Sequence, residues 1–372
     1  MMPSPHAPHH GKRIDPYQVV ALCPAVYSIS DRSDVIGNIE RIDRLVRTAL
    51  WTANLQLPAR LVTVPEGALQ GFADEIHDTD HADYARHCAI DIPGPETDRL
   101  ARICIRHDLY LMATAKARNP DFPGCYFNIG FLIGPDGSIL LRHHKVAVLH
   151  PHETSLTPHA VWERWIELYG RTLDSFYPVA DTEIGRIGFM IANEAAYPEN
   201  ARGLALNGCE IAYRGPYPIA EFASIQNRAR ALDNNMYVIG NQNGPTVPSS
   251  HDSQAALIDK QRHSMVVDYR GQILASMEHG GTSTFLNATI DVEALRDYRL
   301  RTSLGGWLKD LTTEQYRVIY ETPIFPRNLY ASKLPGNMDQ RREIQQRQVQ
   351  LLVERDTWRH PGWDNGTAQK KQ

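Results

Sequence analysis

The feature that most constrains the fold is the stretch at residues 188–199, GFMIANEAAYPE, which reads as a strand, a sharp turn and a helix in direct succession. The apolar run from Ile187 to Ile191 predicts a buried strand. The run stops at a small residue, Ala192, and a helix is predicted over residues 200–206. Enzymes use such an elbow to present a nucleophile at the end of a strand. The methyl group of Ala192 cannot serve as one.

Helix and strand patterns alternate along the rest of the chain. Buried strands are predicted at residues 17–23, 61–64, 109–115 and 126–133, and amphipathic helices at 34–55, 96–107 and 220–234. This alternation predicts one α/β domain in which helical layers cover mixed sheets. We place that domain at residues 16–300, after a disordered tail at 1–15. A partly helical extension at 301–372 is too charged to fill a core and is expected to contact a partner subunit.

The composition narrows the class of protein. A net charge of −4 gives no electrostatic footprint for nucleic acid or for an anionic membrane. No apolar run approaches the roughly 18 residues of a membrane span, and the N-terminus has no apolar segment typical of a secretory signal. Five scattered cysteines suit free thiols in a reducing cytoplasm. The predictions are therefore a cytoplasmic location and no nucleic-acid or membrane partner.

Three predicted strands or hairpins end close to a polar residue or the elbow. Glu66 follows the strand at 61–64, Lys145 follows the hairpin that ends at residue 144, and Ala192 occupies the elbow. Alone, a glutamate or a lysine at such a position is usually a solvated surface residue. Their common placement and order give them weight as a group.

In this order and context, the three positions resemble the Glu–Lys–Cys triad of the nitrilase superfamily of carbon–nitrogen hydrolases. The glutamate motif is matched by Pro65-Glu66 with a Gly-Phe pair at residues 71–72, and the lysine motif by the His-His-Lys run that ends at Lys145. The elbow matches the family pattern Gly-x-x-x-Cys-x-Asp/Glu-x-x-x-Pro-Glu everywhere except at the cysteine, which is Ala192 here.

The resemblance covers roughly residues 17–290. Further matching blocks are IPGPE at 92–96, Asn128, Arg202 with GCEI at 208–211, RARAL at 228–232, NMYVIG at 235–240 and HSMVVD at 263–268. The segment RGPYP at 214–218 and the long C-terminus are most similar to aliphatic amidases and formamidases. The resemblance implies a single-domain, four-layer α-β-β-α sandwich that assembles into a homodimer or a larger even oligomer. It also implies hydrolysis of a small-molecule amide to acid and ammonia, with no cofactor.

The family roles carry over to matching positions. Glu66 would be the general base, and Lys145 with the backbone N–H of Asn193 would stabilise the oxyanion. Glu153 resembles the family's second glutamate, which positions substrate or water. Tyr197 and Tyr217 are expected to line a small-amide pocket.

The departure at Ala192 leaves alternatives open. Either an introduced Cys-to-Ala change or natural inactivation would explain it, and we favour the former because Glu66 and Lys145 are both kept. An N-carbamoyl (ureido) hydrolase would need a basic residue such as Arg202 or Arg214 to hold a carboxylate. A third hypothesis for an enzyme is a nitrilase. The hypothesis outside the enzymes is a catalytically inactive binding or regulatory member of the superfamily.

The histidines raise the question of a metal. His77 and His81 are four residues apart, a spacing that can chelate zinc on a helix, but no glutamate-bracketed motif accompanies them. With sixteen histidines in the chain, chance pairs are expected. No metal site is therefore predicted.

Overall fold

A computed structural model describes residues 13–216, 220–243, 246–247, 262–279 and 283–361. Within these ranges the strands are β1 Tyr17–Cys23, β2 Val26–Tyr27, β3 Ala59–Thr63, β4 Tyr110–Arg118, β5 Tyr126–Ile133, β6 Ile139–His144, β7 Ala180–Thr182, β8 Gly185–Met190, β9 Ile211–Arg214, β10 Tyr237–Gly240, β11 Thr246–Val247, β12 Arg262–Val267, β13 Ile273–His279 and β14 Thr284–Ile290. The α-helices are α1 Val35–Ala53, α2 Ala73–Ile76, α3 His81–His87, α4 Pro95–His107, α5 Trp162–Tyr169, α6 Leu173–Phe176, α7 Pro198–Leu206, α8 Ala220–Asn234, α9 Val292–Arg301, α10 Thr313–Arg317 and α11 Met338–Glu354.

The larger strands form two mixed six-stranded sheets. The first has the order β14-β1-β3-β4-β5-β6 and the second the order β13-β12-β10-β9-β8-β7. Apolar side chains of both sheets share one buried cluster, in which Val19 and Leu61 of the first sheet lie with Ile187 and Tyr213 of the second. The two sheets therefore face each other, with the core of the molecule between them.

Helices cover the outer face of each sheet. Helix α1 turns the residues Ile39, Ile42 and Val46 inward, at helical spacing, onto the first sheet. On the other side, Leu204 of α7 and Ala231 of α8 pack against the second sheet. The predicted four-layer α-β-β-α sandwich is confirmed. None of the helices in the described parts of the chain has the apolar length needed to cross a bilayer.

The facing sheets approach closely beside the predicted elbow. A Cβ atom added to Gly130 of β5 would lie 2.6 Å from the Phe189 ring of β8. Only a glycine fits there without moving that ring, because real contacts of a Cβ atom are not this short. This close contact brings the strand that leads to the elbow directly against the strand that carries Asn128.

Candidate active site

Three of the predicted residues lie together in a buried ion cluster. The Lys145 side chain is 2% exposed, and its Nζ lies 2.9 Å from Glu66 Oε1 and 2.7 Å from Glu153 Oε2. Glu66 follows β3, Lys145 follows β6, and Glu153 comes from the loop after Lys145. The ends of β3 and β6, which β4 and β5 separate in the first sheet, and the loop after β6 thus place one ammonium between two carboxylates.

Neutral donors fix the two carboxylates in place. Asn128 lies in the middle of β5 and donates from Nδ2 both to Glu66 Oε1 and, over 3.1 Å, to Glu153 Oε1. Glu153 also accepts from Ser155 Oγ at 2.8 Å and from the backbone N–H of Leu149 at 3.1 Å. Charge-assisted hydrogen bonds of this kind hold a side chain more firmly than neutral ones. The sequence signal for Asn128 is a polar residue inside an otherwise apolar eight-residue strand.

The electrostatics keep the cluster charged. Burial alone would lower the pKa of Lys145, but the charges of Glu153 and Glu66 outweigh it and raise that pKa above its ordinary value. Burial would raise the pKa of Glu153, but Lys145 reverses the shift and lowers it to about 2. At neutral pH the lysine is therefore a cation held beside an ionised carboxylate.

The predicted elbow is present and conformationally unusual. Ala192 has a φ of +44°, a conformation that a non-glycine residue adopts at an energetic cost. Ala192 is also the first residue of a 3₁₀ turn, Ala192–Ala196. This turn leads into α7, which begins with Pro198 at its first position. Strain at a strand-to-helix turn is what a nucleophile elbow requires, yet the side chain presented is a methyl group.

Glu194 joins the elbow to the hairpin that carries the lysine. Its carboxylate oxygens each lie 3.0 Å from His143 Nε2, and it accepts from the backbone N–H groups of Ile191 and Val146. All of these partners flank either Ala192 or Lys145. The Asp/Glu position of the family pattern thus ties together two of the three triad positions.

Ala192 and Glu66 border the same space. A Cβ atom built on Gly215 would lie 3.0 Å from the backbone nitrogen of Ala192 and 3.5 Å from the Cβ atom of Glu66. Gly215 follows β9 and also bonds to the strand before the elbow, through its N–H and the carbonyl of Met190. The structure therefore brings Glu66, Lys145, Glu153 and Ala192 to one edge of the paired sheets.

The three predicted substrate contacts differ in their placement. The side chain of Asn193 is buried and donates to the carbonyl of Val148 over 2.9 Å, so a contact with substrate would fall to its backbone N–H. Tyr197 is 49% exposed and directly precedes α7. Tyr217 lies outside the described residues. Pocket roles for these residues stay predictions.

The cysteines are in other places and other surroundings. Four of the five are buried and none belongs to the elbow. Burial raises the pKa of Cys209 to about 12 and that of Cys88 to about 11, which keeps these thiols protonated and unreactive at neutral pH.

A second buried lysine cluster was missed by sequence reasoning. Lys116 of β4 pairs with Asp74 and, at 3.0 Å, with Glu75. Lys116 is the cross-strand partner of Asn128, and Tyr126 connects the clusters by bonding Asp74 and Thr154, the neighbour of Glu153. Charged residues in a short helix such as α2 usually read as a solvated face, so the sequence gives little signal for this arrangement.

Glu75 in the second cluster makes stability depend on pH. Burial, only partly offset by Lys116, raises the pKa of Glu75 from 4.5 to about 7. Since the folded state holds the proton more tightly, this group favours folding fully below about pH 4.5, and the benefit is lost as the pH rises to about 7. We expect Glu75→Gln to flatten this part of the stability curve. Urea unfolding at pH 4.5, 6 and 7.5 measures it, and an unchanged slope would contradict the assignment.

Of the two histidines considered as metal ligands, His81 is occupied by other contacts. His81 is buried, donates from Nδ1 to the Thr154 carbonyl over 3.0 Å, and stacks on Tyr126 with 4.4 Å between ring centres. Burial lowers its pKa to about 4. The described part of the chain has no group of three or more His, Cys, Asp or Glu side chains placed to hold a metal ion.

The chain is similar to known proteins in both sequence and structure. The carbon–nitrogen hydrolase family model matches residues 20–300. The mouse omega-amidase NIT2 is 28% identical over 77% of this chain and 93% of its own length, and a formamidase of Bacillus thuringiensis is 26% identical over 57% of both. Among solved structures, a Cys-to-Ala mutant of the Nesterenkonia AN1 amidase superposes with a TM-score of 0.59 at 18% identity, over 83% of this chain and 98% of that one. This chain belongs to the carbon–nitrogen hydrolase family.

Proposed function

We propose that this chain binds a small-molecule amide at the cluster of Glu66, Lys145 and Glu153 and is built to hydrolyse its C–N bond to an acid and ammonia. The observation that carries the proposal is the buried Lys145 ammonium between two carboxylates, at the same sheet edge as the strained Ala192 elbow. Relatives named as an omega-amidase and a formamidase support the amide class.

The chemistry assigned to the site requires a thiol at position 192. The thiol sulfur would attack the amide carbon while Glu66 takes its proton, and Lys145 would stabilise the oxyanion. Glu66 would then return the proton to the departing nitrogen, so that the C–N bond breaks, ammonia leaves and a thioester remains. Water activated by Glu66 would cleave the thioester and restore the thiol. With Ala192 no thioester can form, so the chain as it stands binds its amide without turning it over.

Binding is the property to test on the chain as it stands. Acetamide, propionamide, a carbamoyl amino acid and a nitrile are titrated by isothermal calorimetry, and thermal unfolding is followed in parallel. We expect a simple amide to bind and to raise the unfolding temperature, because a ligand that binds only the folded state stabilises it by mass action. If the folded chain binds none of these compounds, the proposal is contradicted.

A single methyl group should block the site. Gly215→Ala places a Cβ atom against the Ala192 nitrogen and beside Glu66, in the space proposed for the amide. Crowding between this methyl group and a bound amide would weaken binding by an amount comparable to overpacking by one methyl, about 1–3 kcal/mol. We expect amide affinity to fall by roughly tenfold, since 1.4 kcal/mol corresponds to that factor. Gly37→Ala, in helix α1 with only a flexible arginine nearby at 3.6 Å, is the matched control and should bind normally. Equal affinity in both variants would place the ligand elsewhere.

A further inference from the structure

The C-terminal extension lies on its own domain, next to the loop that carries Glu153. The N–H groups of Asn328 and Tyr330 donate to the carbonyls of His159 and Ala160 over 3.0 and 2.9 Å. The ring of Phe325 stacks on His150, with 5.1 Å between ring centres. Helix α11 then begins at Met338, capped by Asn337.

Arg341 is the buried residue of α11. The helix is otherwise half-buried or exposed, yet the Arg341 side chain is 2% exposed. Its Nε donates to the carbonyl of Pro151, one terminal nitrogen to the carbonyl of Gly336, and the other to Asp78 Oδ1 over 2.8 Å and, more distantly, to the carbonyl of His152. Nearby, Gln345 Nε2 donates to the carbonyl of His150 over 2.9 Å.

Apart from Gly336, which precedes α11 in the extension itself, the residues that receive the bonds of Arg341 belong to two loops beside the candidate site. Pro151 and His152 directly precede Glu153, whose carboxylate holds Lys145. Asp78 lies in the turn after α2, the helix that supplies Asp74 and Glu75 to the second lysine cluster. One planar guanidinium therefore links the backbone before Glu153 to the side chain of Asp78, in the turn that follows the helix of Asp74 and Glu75.

A guanidinium suits this task and an ammonium does not. Arginine presents up to five N–H donors in a rigid plane, whereas lysine is a point charge on a flexible stem. A buried arginine that served only to anchor the helix would be a poor choice, because desolvating its charge costs more than burying an apolar side chain of similar volume. Arg341 donates to the carbonyls of Pro151 and His152, directly before Glu153, so its buried guanidinium can hold that loop in place.

We propose that Arg341 is a positioning residue that holds the Glu153 loop in the geometry needed to pair with Lys145. The proposal rests on the proposed function for its catalytic consequence, but its structural consequence can be measured separately. The backbone N–H of Leu149 donates to Glu153 Oε2 over 3.1 Å, so exchange of this amide hydrogen reports directly whether Glu153 is in place.

The test compares Arg341→Lys with Arg342→Ala. Arg341→Lys keeps the charge beside Asp78 and removes the fork of donors. Arg342→Ala removes an exposed neighbour on the same helix, which pairs only with Asp339 at 3.0 Å among the contacts of the described residues. Hydrogen exchange resolved at Leu149 is measured in both, together with the free energy of unfolding. If Arg341→Lys fails to fold, Arg341→Gln, which keeps one amide donor group and removes the guanidinium fork, replaces it with the same expected result at Leu149.

We expect exchange at Leu149 to become about tenfold faster in Arg341→Lys, the factor that loss of one net hydrogen bond gives, and to stay unchanged in Arg342→Ala. In an Ala192→Cys background, kcat should fall by roughly 10²-fold with a smaller change in KM, because small misplacements of reacting groups have effects of this size. Unchanged exchange at Leu149, or an equal effect of Arg342→Ala, would overturn the proposal. Absence of turnover in the Ala192→Cys background alone would count against the proposed function, and the exchange result would still decide the role of Arg341.

Discussion

Ala192→Cys is expected to release ammonia from a small amide, whereas the unmodified chain releases none. The backbone at Ala192, with its φ of +44°, already has the conformation of a nucleophile elbow. Glu66 borders the same space beside Gly215 as Ala192 does. In a protease, removal of the nucleophile lowers kcat by about 10⁶, so its introduction here should raise turnover by several orders of magnitude. Ammonia release is measured with formamide, acetamide, propionamide, a carbamoyl amino acid and a nitrile.

The controls separate a nucleophile from a merely added thiol. Ala196→Cys places a thiol at the end of the same 3₁₀ turn and should remain silent. The double variant Ala192→Cys with Glu66→Gln should also release no ammonia, because the side-chain amide of glutamine cannot accept the thiol proton. If folded Ala192→Cys released no ammonia from any compound, a binding or regulatory role would take precedence over the enzyme. The compound that is turned over, if any, distinguishes the amidase from the ureido hydrolase and nitrilase readings.

Lys145→Met is expected to lower the free energy of unfolding at pH 7 by about 3–5 kcal/mol. Removal of one partner from a buried ion pair leaves an uncompensated charge, which accounts for a loss of this size, and here two buried carboxylates, Glu66 and Glu153, lose their cation together. Urea unfolding of the variant and the unmodified chain measures the difference. A loss below about 1 kcal/mol would show that the cluster contributes little.

The pH dependence gives this prediction a second readout. Because the pKa of Glu153 is lowered to about 2 in the folded chain, its contribution to stability is present above about pH 4.5 and is lost as the pH falls toward 2. Without Lys145 the Glu153 carboxylate should take up a proton at higher pH, so the deficit of Lys145→Met should shrink at pH 4. Lys309→Met removes an exposed lysine that pairs with its neighbour Asp310. It should change stability by less than about 0.5 kcal/mol at either pH.

Much of the fold could be predicted because its signals are local. Strands β1 and β5 and helix α8 have the predicted bounds, since each is a continuous apolar or amphipathic run. Strand β4 runs three residues beyond the prediction, to Arg118, because its ladder with β5 continues through the polar residue Lys116. Helix α7 begins at Pro198 and not at Asn200, as proline is favourable in the first turn.

The residues that bury charge could not be predicted in the same way. Lys116 and Arg341 belong to residue types that are almost always solvated, and only the fold brings their carboxylate and carbonyl partners within reach. The prediction for the extension, contact with a partner subunit, rested on its scarcity of apolar positions. Helix α11 has a contact with its own domain, through the charged residue Arg341. A contact between subunits remains a prediction.

The position of β1 in the first sheet determines when, during synthesis, this sheet can be completed. Strand β1 lies between β3 and β14, and Gln18 bonds Thr289, 271 residues further along the chain. A ribosome adding about 5–20 residues per second needs roughly 15–50 s to cover that interval. Until then one edge of β1, an apolar strand, has no neighbour to pair with. The nascent chain therefore exposes an aggregation-prone edge for most of its synthesis, and chaperones that shield such edges would determine its yield.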